Sequence, residues 1–180
     1  MIRRFAPRVL GVVAAALLGT VPAFAELPDQ LRLDHLGIEA GLSSSAISRI
    51  IQDDNGFIWF ATQSGLNRYD GYAVERYEHD PFDRNSLSHN LIQTMYHDDS
   101  GIFWIGTHGG LNRFDPESEG FRHYESDPQS LSSLSNNVVV AITRDAEGNL
   151  WVGTLNGLNR LDAETGRFAQ YMDGDPEAGE

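Results

Sequence analysis

The fold is decided by one stretch of sequence, DDSGIFWIGTHGGLNRFD at residues 98–115, which has a close copy on each side. The earlier copy is DDNGFIWFATQSGLNRYD at 53–70, and the later copy is DAEGNLWVGTLNGLNRLD at 145–162. Their tryptophans, Trp59, Trp104 and Trp151, are 45 and 47 residues apart. Self-similarity at such a period is typical of solenoids, propellers and arrays, so a repeat architecture is the first expectation.

Each copy is predicted to lie within a unit of four short antiparallel strands. The first strand ends at Asp-x-x-Gly, whose glycine supplies the positive φ that a tight hairpin needs. The tryptophan lies in the second strand, within a continuous apolar run that is typical of a strand covered on both faces. The expected strands are 47–52, 57–61, 66–69 and 74–77 in the first unit, with first strands at 92–97 and 139–144 and fourth strands at 121–124 and 168–171 in the others.

Four antiparallel strands at this period describe one blade of a β-propeller. The predicted fold class is therefore all-β, with three four-stranded antiparallel blades of a larger or incomplete ring. No unit shows the 3.6-residue apolar periodicity of a helix, which excludes an α-solenoid. A β-sandwich remains an alternative, although it does not explain why the units are nearly identical.

Residues that recur in every unit are expected to be structural, because a ligand site made by unlike blades should differ between units. The tryptophans are expected to pack between blades, with ligand stacking as the alternative. Each Asn-Arg pair, such as Asn112-Arg113, is expected to hold its guanidinium on the aspartate that follows. The structural repeat set is Gly56, Trp59, Gly65 and Asp70, then Gly101, Trp104, Gly110 and Asp115, then Gly148, Trp151, Gly157 and Asp162.

The composition excludes several kinds of chemistry. The formal net charge of -13 repels phosphate backbones, so nucleic acid is not an expected partner. The chain has no cysteine, which excludes disulfides, thiol catalysis and thiolate metal sites. Every basic residue is arginine, and the absence of lysine excludes Schiff-base chemistry.

The N-terminal segment resembles a secretion signal. Three arginines within residues 1–8 precede an apolar run at 9–21, and small residues follow at Ala23 and Ala25. The run is too short to span a bilayer, which needs about 20 apolar residues. We therefore expect a signal peptide at 1–25, with an uncleaved anchor as the alternative. The expected order after it is a segment at 26–40 with a possible ring-closing strand at 31–36, blades at 41–79, 80–126 and 127–172, and the start of a further linker at 173–180.

No catalytic residue, metal ligand or cofactor is expected from the motifs. The Asp-x-x-Gly stretches lack the oxygen ligands of a calcium loop, and none of the six histidines forms a zinc-type pair. The loop between the second and third strands faces one rim of a propeller, where ligands often bind. Its residues Gln63, His108 and Leu155 are the candidates for ligand binding, although a solvated loop is the favoured interpretation.

Three features together resemble the two-component regulator propeller repeat: the Leu-Ser at 87–88, the stretch DDSGIFWIGT at 98–107 and the stretch GLNRFD at 110–115. The resemblance covers residues 31–172. Members of that family typically carry seven or fourteen blades outside the inner membrane, often followed by a transmembrane helix and a kinase or cyclase. The resemblance therefore implies a periplasmic sensor.

The leading hypothesis is a periplasmic ligand-sensing propeller module of a two-component or diguanylate cyclase signal transducer, not an enzyme in this region. Its implied partners are a small molecule or glycan, further blades, and a membrane-linked output module in a longer, inner-membrane-anchored chain. Three blades cannot close a ring, so the sequence is expected to be an N-terminal fragment. One alternative is an enzyme similar to streptogramin lyase, which is also a propeller. The other alternative is a protein-binding scaffold.

Overall fold

The computed structural model describes residues 35–98 and 100–171, which form twelve strands in three antiparallel sheets. The strands of each sheet are hydrogen-bonded in chain order, which is the meander of a propeller blade. Blade 1 contains β1 (Ile47–Gln52), β2 (Ile58–Thr62), β3 (Gly65–Tyr69) and β4 (Val74–Tyr77). Blade 2 contains β5 (Ile92–His97), β6 (Phe103–Thr107), β7 (Gly110–Asp115) and β8 (Gly120–Tyr124). Blade 3 contains β9 (Val139–Arg144), β10 (Leu150–Thr154), β11 (Gly157–Leu161) and β12 (Phe168–Tyr171).

The hairpin between the first two strands of each blade is built around the predicted glycine. Gly56, Gly101 and Gly148 have φ of 88°, 80° and 87°, which confirms the turn assignment. The second strand begins one residue later than expected. In blade 1 the carboxylate of Asp53 accepts the N–H of Phe57, so this residue belongs to the turn and β2 starts after it.

Apolar side chains fill the space between successive blades. Trp59 is 2% exposed and Trp104 is 4% exposed, which confirms that these tryptophans are core residues. Trp151 belongs to the last described blade and is only partly buried. The core between blades 1 and 2 contains Trp59, Ala61, Leu66, Tyr77, Leu87, Ile92, Met95, Phe103, Ile105, Phe114 and Phe121. The core between blades 2 and 3 contains Trp104, Leu111, Leu134, Val139, Leu150, Val152, Leu161 and Phe168.

A buried asparagine in each third strand fastens the Leu-Ser segment to its blade. In blade 2 the Asn112 carboxamide accepts the N–H of Ser88 and donates to the Ser88 Oγ and to the Ile105 carbonyl. The Ser88 hydroxyl also lies 2.9 Å from the Thr107 hydroxyl. The same network recurs in the other blades, with Asn67, Ser43 and Thr62 in blade 1 and Asn159, Ser135 and Thr154 in blade 3.

The two outermost blades are less covered than the middle one. On the first strand of blade 1, Ile47 and Ile50 are 39% and 59% exposed, whereas their counterparts Ile92 and Met95 in blade 2 are 1% and 5% exposed. The difference follows from packing, because among the described residues only blade 2 packs against blade 1, on one of its faces.

The expected signal peptide at 1–25 and linker at 173–180 lie outside the described residues, as do residues 31–34 of the expected ring-closing strand. Its last two residues, His35 and Leu36, lie in no strand, and a 3-10 turn follows at Ile38–Ala40. None of the helical residues within 35–98 and 100–171 forms a helix long and apolar enough to cross a membrane.

Candidate functional site

The three predicted ligand residues occupy the same position in their blades. Gln63, His108 and Leu155 are each the first residue of the two-residue tip between the second and third strands. Gln63 and Leu155 are exposed, whereas His108 is half-buried. Each backbone N–H donates to the carbonyl of the residue before the first strand, which is Ala46, Leu91 and Val138 respectively. The tips therefore lie at the end of the blade where the first strand begins.

A β-bulge interrupts the first strand next to each tip. The pairing registers skip one residue in every blade, namely Ser48, Gln93 and Val140. A bulge leaves its extra residue without a ladder partner and redirects its side chain. The bulge therefore places a second variable side chain near each tip, and this position is serine, glutamine or valine depending on the blade.

Blade 2 brings several polar groups together at this end. The Gln93 carboxamide nitrogen lies 2.8 Å from His108 Nε2, and because that nitrogen only donates, the imidazole accepts. The ring of His89 lies 5.9 Å from the ring of His108, and its Nδ1 accepts the N–H of Leu91. Desolvation lowers the pKa of His89, and the nearby His108 and His79 lower it further. The neutral form of the His89 imidazole is therefore favoured, and a neutral imidazole both donates and accepts hydrogen bonds.

The cluster in blade 2 was only partly predictable from the sequence. His108 was expected from its place after Gly-Thr, but Gln93 and His89 were missed. A bulge has no direct sequence signature. The sequence does show that the position after the first strand's opening isoleucine or valine varies, from Ser48 to Gln93 to Val140. The described contacts join His108 to Gln93 and His89, and they do not join it to Gln63 or Leu155.

The aspartate of each Asp-x-x-Gly turn accepts hydrogen bonds from the turn and from the indole of the tryptophan six residues later. Asp53 accepts the N–H groups of Asn55 and Phe57, and its second oxygen accepts the Trp59 indole N–H at 2.8 Å. The indole of Trp104 donates to Asp98, and that of Trp151 donates to Asp145 at 2.6 Å. Hydrogen bonds from Trp151 and Asn149 lower the pKa of Asp145 to about 2. These carboxylates hold the hairpin, as the turn assignment requires.

The expected pairing of Arg68 with Asp70 is wrong. The Arg68 guanidinium instead binds Glu75 on the neighbouring strand and Glu119 of blade 2, the latter at 2.9 Å. The Asp70 carboxylate accepts the N–H groups of Tyr72 and Ala73 in its own loop, which lowers its pKa. Both hydrogen bonds are made to Oδ1, so the carboxylate that the sequence assigns to the arginine is held in its own turn.

Two cavities lie away from the tips, whereas a third of about 270 Å³ is lined in part by Asn156 of the blade 3 tip. One of about 780 Å³ is lined at the outer edge of blade 2 by residues that include Arg84, Phe121 and His123. A smaller one of about 190 Å³ lies between blades 2 and 3 and contains Arg122 and Arg144. Within the part of the chain that the structure describes, no three His, Asp or Glu side chains are grouped in a way that could hold a metal ion.

Comparisons with known proteins agree with the repeat architecture. A model of the family "Two component regulator propeller" matches residues 41–64, 86–109 and 133–156, one match per blade. A B. thetaiotaomicron protein assigned as a hybrid two-component system has an extracellular domain that is 36% identical, with a TM-score of 0.71 over 77% of this chain and 20% of that one. A second extracellular domain from B. thetaiotaomicron, assigned to a one-component system, is 27% identical, with a TM-score of 0.60 over 73% of this chain and 19% of that one.

One curated protein shares a short stretch with this chain. Histidine kinase P4 of Formosa agariphila is 42% identical over 48 residues, which are 27% of this chain and 4% of the kinase. The chain therefore spans a small part of this relative and about a fifth of each of these two extracellular domains.

Proposed function

Because the chain carries three two-component regulator propeller repeats, we propose that it is the ligand-sensing propeller region of a bacterial signal transducer and acts in the periplasm. Its ligand is a small molecule or glycan that contacts the tips and bulges at one end of the blades. The output module, a kinase or cyclase, belongs to a longer chain anchored in the inner membrane.

The observation that carries the proposal is the contrast between repeated and variable positions. The turn glycines, the buried asparagines and the Asp–Trp hydrogen bonds recur in all three blades. The tips and bulges do not, since Gln63, His108 and Leu155 differ in polarity. Variation on a constant scaffold is the usual arrangement of binding surfaces, because loops tolerate change that the core does not.

The chemistry of blade 2 suits a polar, uncharged group. His108 and Gln93 are already joined by a hydrogen bond, so they hold each other in place before a ligand arrives. Such preorganisation reduces the entropy that binding would otherwise cost. The exposed Leu155 of blade 3 adds an apolar contact, which fits the ring face of a sugar or a similar compact molecule.

The location is tested with a fusion of residues 1–40 to a bacterial alkaline phosphatase, which is active only where its disulfides form. We expect activity from the fusion, and we expect the double variant Leu17→Glu, Leu18→Glu to abolish it by interrupting the apolar run. An inactive wild-type fusion that accumulates in the cytoplasm would contradict the periplasmic location.

The ligand is sought by measuring the melting temperature of the chain with a panel of neutral and acidic saccharides and amino acids. A compound present at about 100 times its Kd stabilises a protein by about 2.7 kcal/mol, which is a readily measured shift. We expect the shift to be lost in His108→Ala and Gln93→Ala and kept in His35→Ala, a control whose side chain is 86% exposed. A shift that survives both tip variants would place the ligand elsewhere.

The alternatives give different results in the same experiments. An enzyme similar to streptogramin lyase would consume a streptogramin substrate, with activity lost on replacement of a histidine. A protein-binding scaffold would show no small-molecule stabilisation, but would bind a protein partner through the tips.

A further inference from the structure

The recurring arginine of the third strand has different neighbours at the two blade interfaces. In blade 1 the Arg68 guanidinium lies over the rings of Phe57, Trp59 and Tyr77, at 5.1, 5.6 and 5.8 Å from their centroids. Its charge is balanced by Glu75 from its own blade and Glu119 from the next. Burial by itself would lower the pKa of Arg68, but the hydrogen bond with Glu119 and the charge of Glu75 raise it.

The equivalent arginine of blade 2, Arg113, lacks both carboxylates. Arg68 pairs across the strands with Glu75, whereas Arg113 pairs in the same register with Arg122. The residue of blade 3 that corresponds to Glu119 is Gly166, and a Cβ there would lie 3.5 Å from Arg122 Nη2. In residues 35–98 and 100–171, neither Arg113 nor Arg122 has a carboxylate oxygen within 4 Å. Like charges opposite each other on paired strands are destabilising when nothing balances them.

A third guanidinium faces the same space from blade 3. Arg144 lies in the same cavity of about 190 Å³ as Arg113 and Arg122, beside the rings of Trp104 and Tyr124. Its Nη2 binds the fully buried Asp98 at 2.9 Å, while its Nε is buried and has no hydrogen-bond partner. An unpaired buried donor costs free energy that a bound acceptor would recover.

Among the described acidic side chains near the cavity, only Asp98 pairs with one of these arginines, Arg144. Asp98 also accepts hydrogen bonds from Ser100, Ile102 and Trp104, and Asp115, beside Arg113, accepts them from Ser118 and Glu117. Glu164 lines the cavity, but it forms no ion pair with any arginine of the described segments.

We propose that the groove between blades 2 and 3 is an anion-binding site, in which Arg113, Arg122 and Arg144 hold one oxyanion of a small molecule. The anion takes the place that the carboxylates of Glu75 and Glu119 occupy between blades 1 and 2. Arginine forks bind carboxylate, sulfate and phosphate oxygens in pairs, and the Tyr124 ring, over which Arg122 stacks at 5.2 Å, favours an apolar group beside the anion. The site is separate from the tips and holds whether or not the tips bind a ligand.

The test is titration calorimetry of the full chain at fixed low ionic strength, with sodium benzoate as the carboxylate probe and benzamide as its uncharged control. Sulfate and phosphate are titrated separately, so that planar and tetrahedral oxyanions are distinguished. We expect at least one anion to bind and benzamide to bind at least tenfold more weakly than benzoate. Binding should weaken with added sodium chloride, because part of the attraction is between charges.

Two variants locate the site. Arg122→Glu reproduces the Arg–Glu pair of blade 1 and should abolish anion binding while the folded state is kept or stabilised. Arg122→Gln should weaken binding at least tenfold and serves if the glutamate variant fails to fold. Arg49→Gln, which removes one exposed positive charge on blade 1, should leave binding unchanged. The proposal is overturned if none of the three anions binds, or if the Arg122 and Arg49 variants change binding equally.

Discussion

The interface between blades 1 and 2 and the interface between blades 2 and 3 share one geometry but differ in charge. Both bury a tryptophan from the earlier blade, and both place an arginine at the edge of the apolar core. At the first interface two glutamates neutralise that arginine, whereas at the second the corresponding positions are Arg122 and Gly166. Side chains that pack between blades are therefore alike in both interfaces, whereas charged positions at the edge of the interface differ.

The largest effect should come from the tryptophans. We expect Trp59→Ala and Trp104→Ala each to lower the free energy of unfolding by about 3–5 kcal/mol, because each removes a buried ring and leaves a cavity. Trp151→Ala should cost less than half as much, since its ring is only partly covered. Urea unfolding followed by circular dichroism measures all three. Equal losses would show that blade 3 is covered as completely as the other two.

Replacing the buried asparagines should lower the free energy of unfolding by a smaller amount, which should be the same in blade 1 and blade 2. Asn67→Ala and Asn112→Ala each leave a serine N–H and a strand carbonyl unpaired, which costs about 1–3 kcal/mol. These bonds lie within a blade, so the two losses should agree. Asn156→Ala, at an exposed tip, is the matched control and should change stability little. A loss confined to one blade would mean that the network depends on its neighbouring blade.

The charge difference is tested by Glu75→Arg, which gives the first interface the cross-strand Arg–Arg pair of the second and leaves Glu119 in place. Arg68 is 20% exposed and Glu75 is 45% exposed, so solvent screens the pair and we expect a loss of about 1 kcal/mol at low salt. The loss should shrink as sodium chloride is added. Glu78→Arg makes the same charge change at an exposed position nearby, and it should have a smaller effect. If both variants lowered the free energy of unfolding equally, the ion pair between Arg68 and Glu75 would make no specific contribution to stability.

The smallest effect should be a change in acid sensitivity at the turn of blade 3. The folded-state pKa of Asp145 is about 2, below the value of about 3.9 for an unperturbed aspartate. A depressed carboxyl pKa stabilises the fold above about pH 4 and ceases to do so as the pH falls towards 2. We expect Asp145→Asn to flatten the dependence of unfolding free energy on pH in that window. Glu117→Gln, at an exposed position, should leave the dependence unchanged.

The residues that the sequence predicted well act within a single blade. Gly56 and its counterparts were identified because a tight hairpin turn needs a residue with positive φ. Trp104 was identified because a tryptophan within a run of apolar residues is usually buried. The pairing of Arg68 was predicted wrongly, because its partner Glu119 lies 51 residues away on another blade. Gln93 was missed, because a bulge appears only when two strands are paired.

The sequence alone determined the all-β repeat architecture, the number of blades in this chain and the boundaries of most strands. It did so because turn residues and apolar runs are local properties, and the same pattern recurs in three units whose tryptophans are 45 and 47 residues apart. Only the tertiary structure decided which carboxylate meets which arginine, which side chains the bulges bring to the tips, and where three guanidiniums share one groove. Those features depend on how one blade is placed against the next, and no pattern within a single unit records that placement.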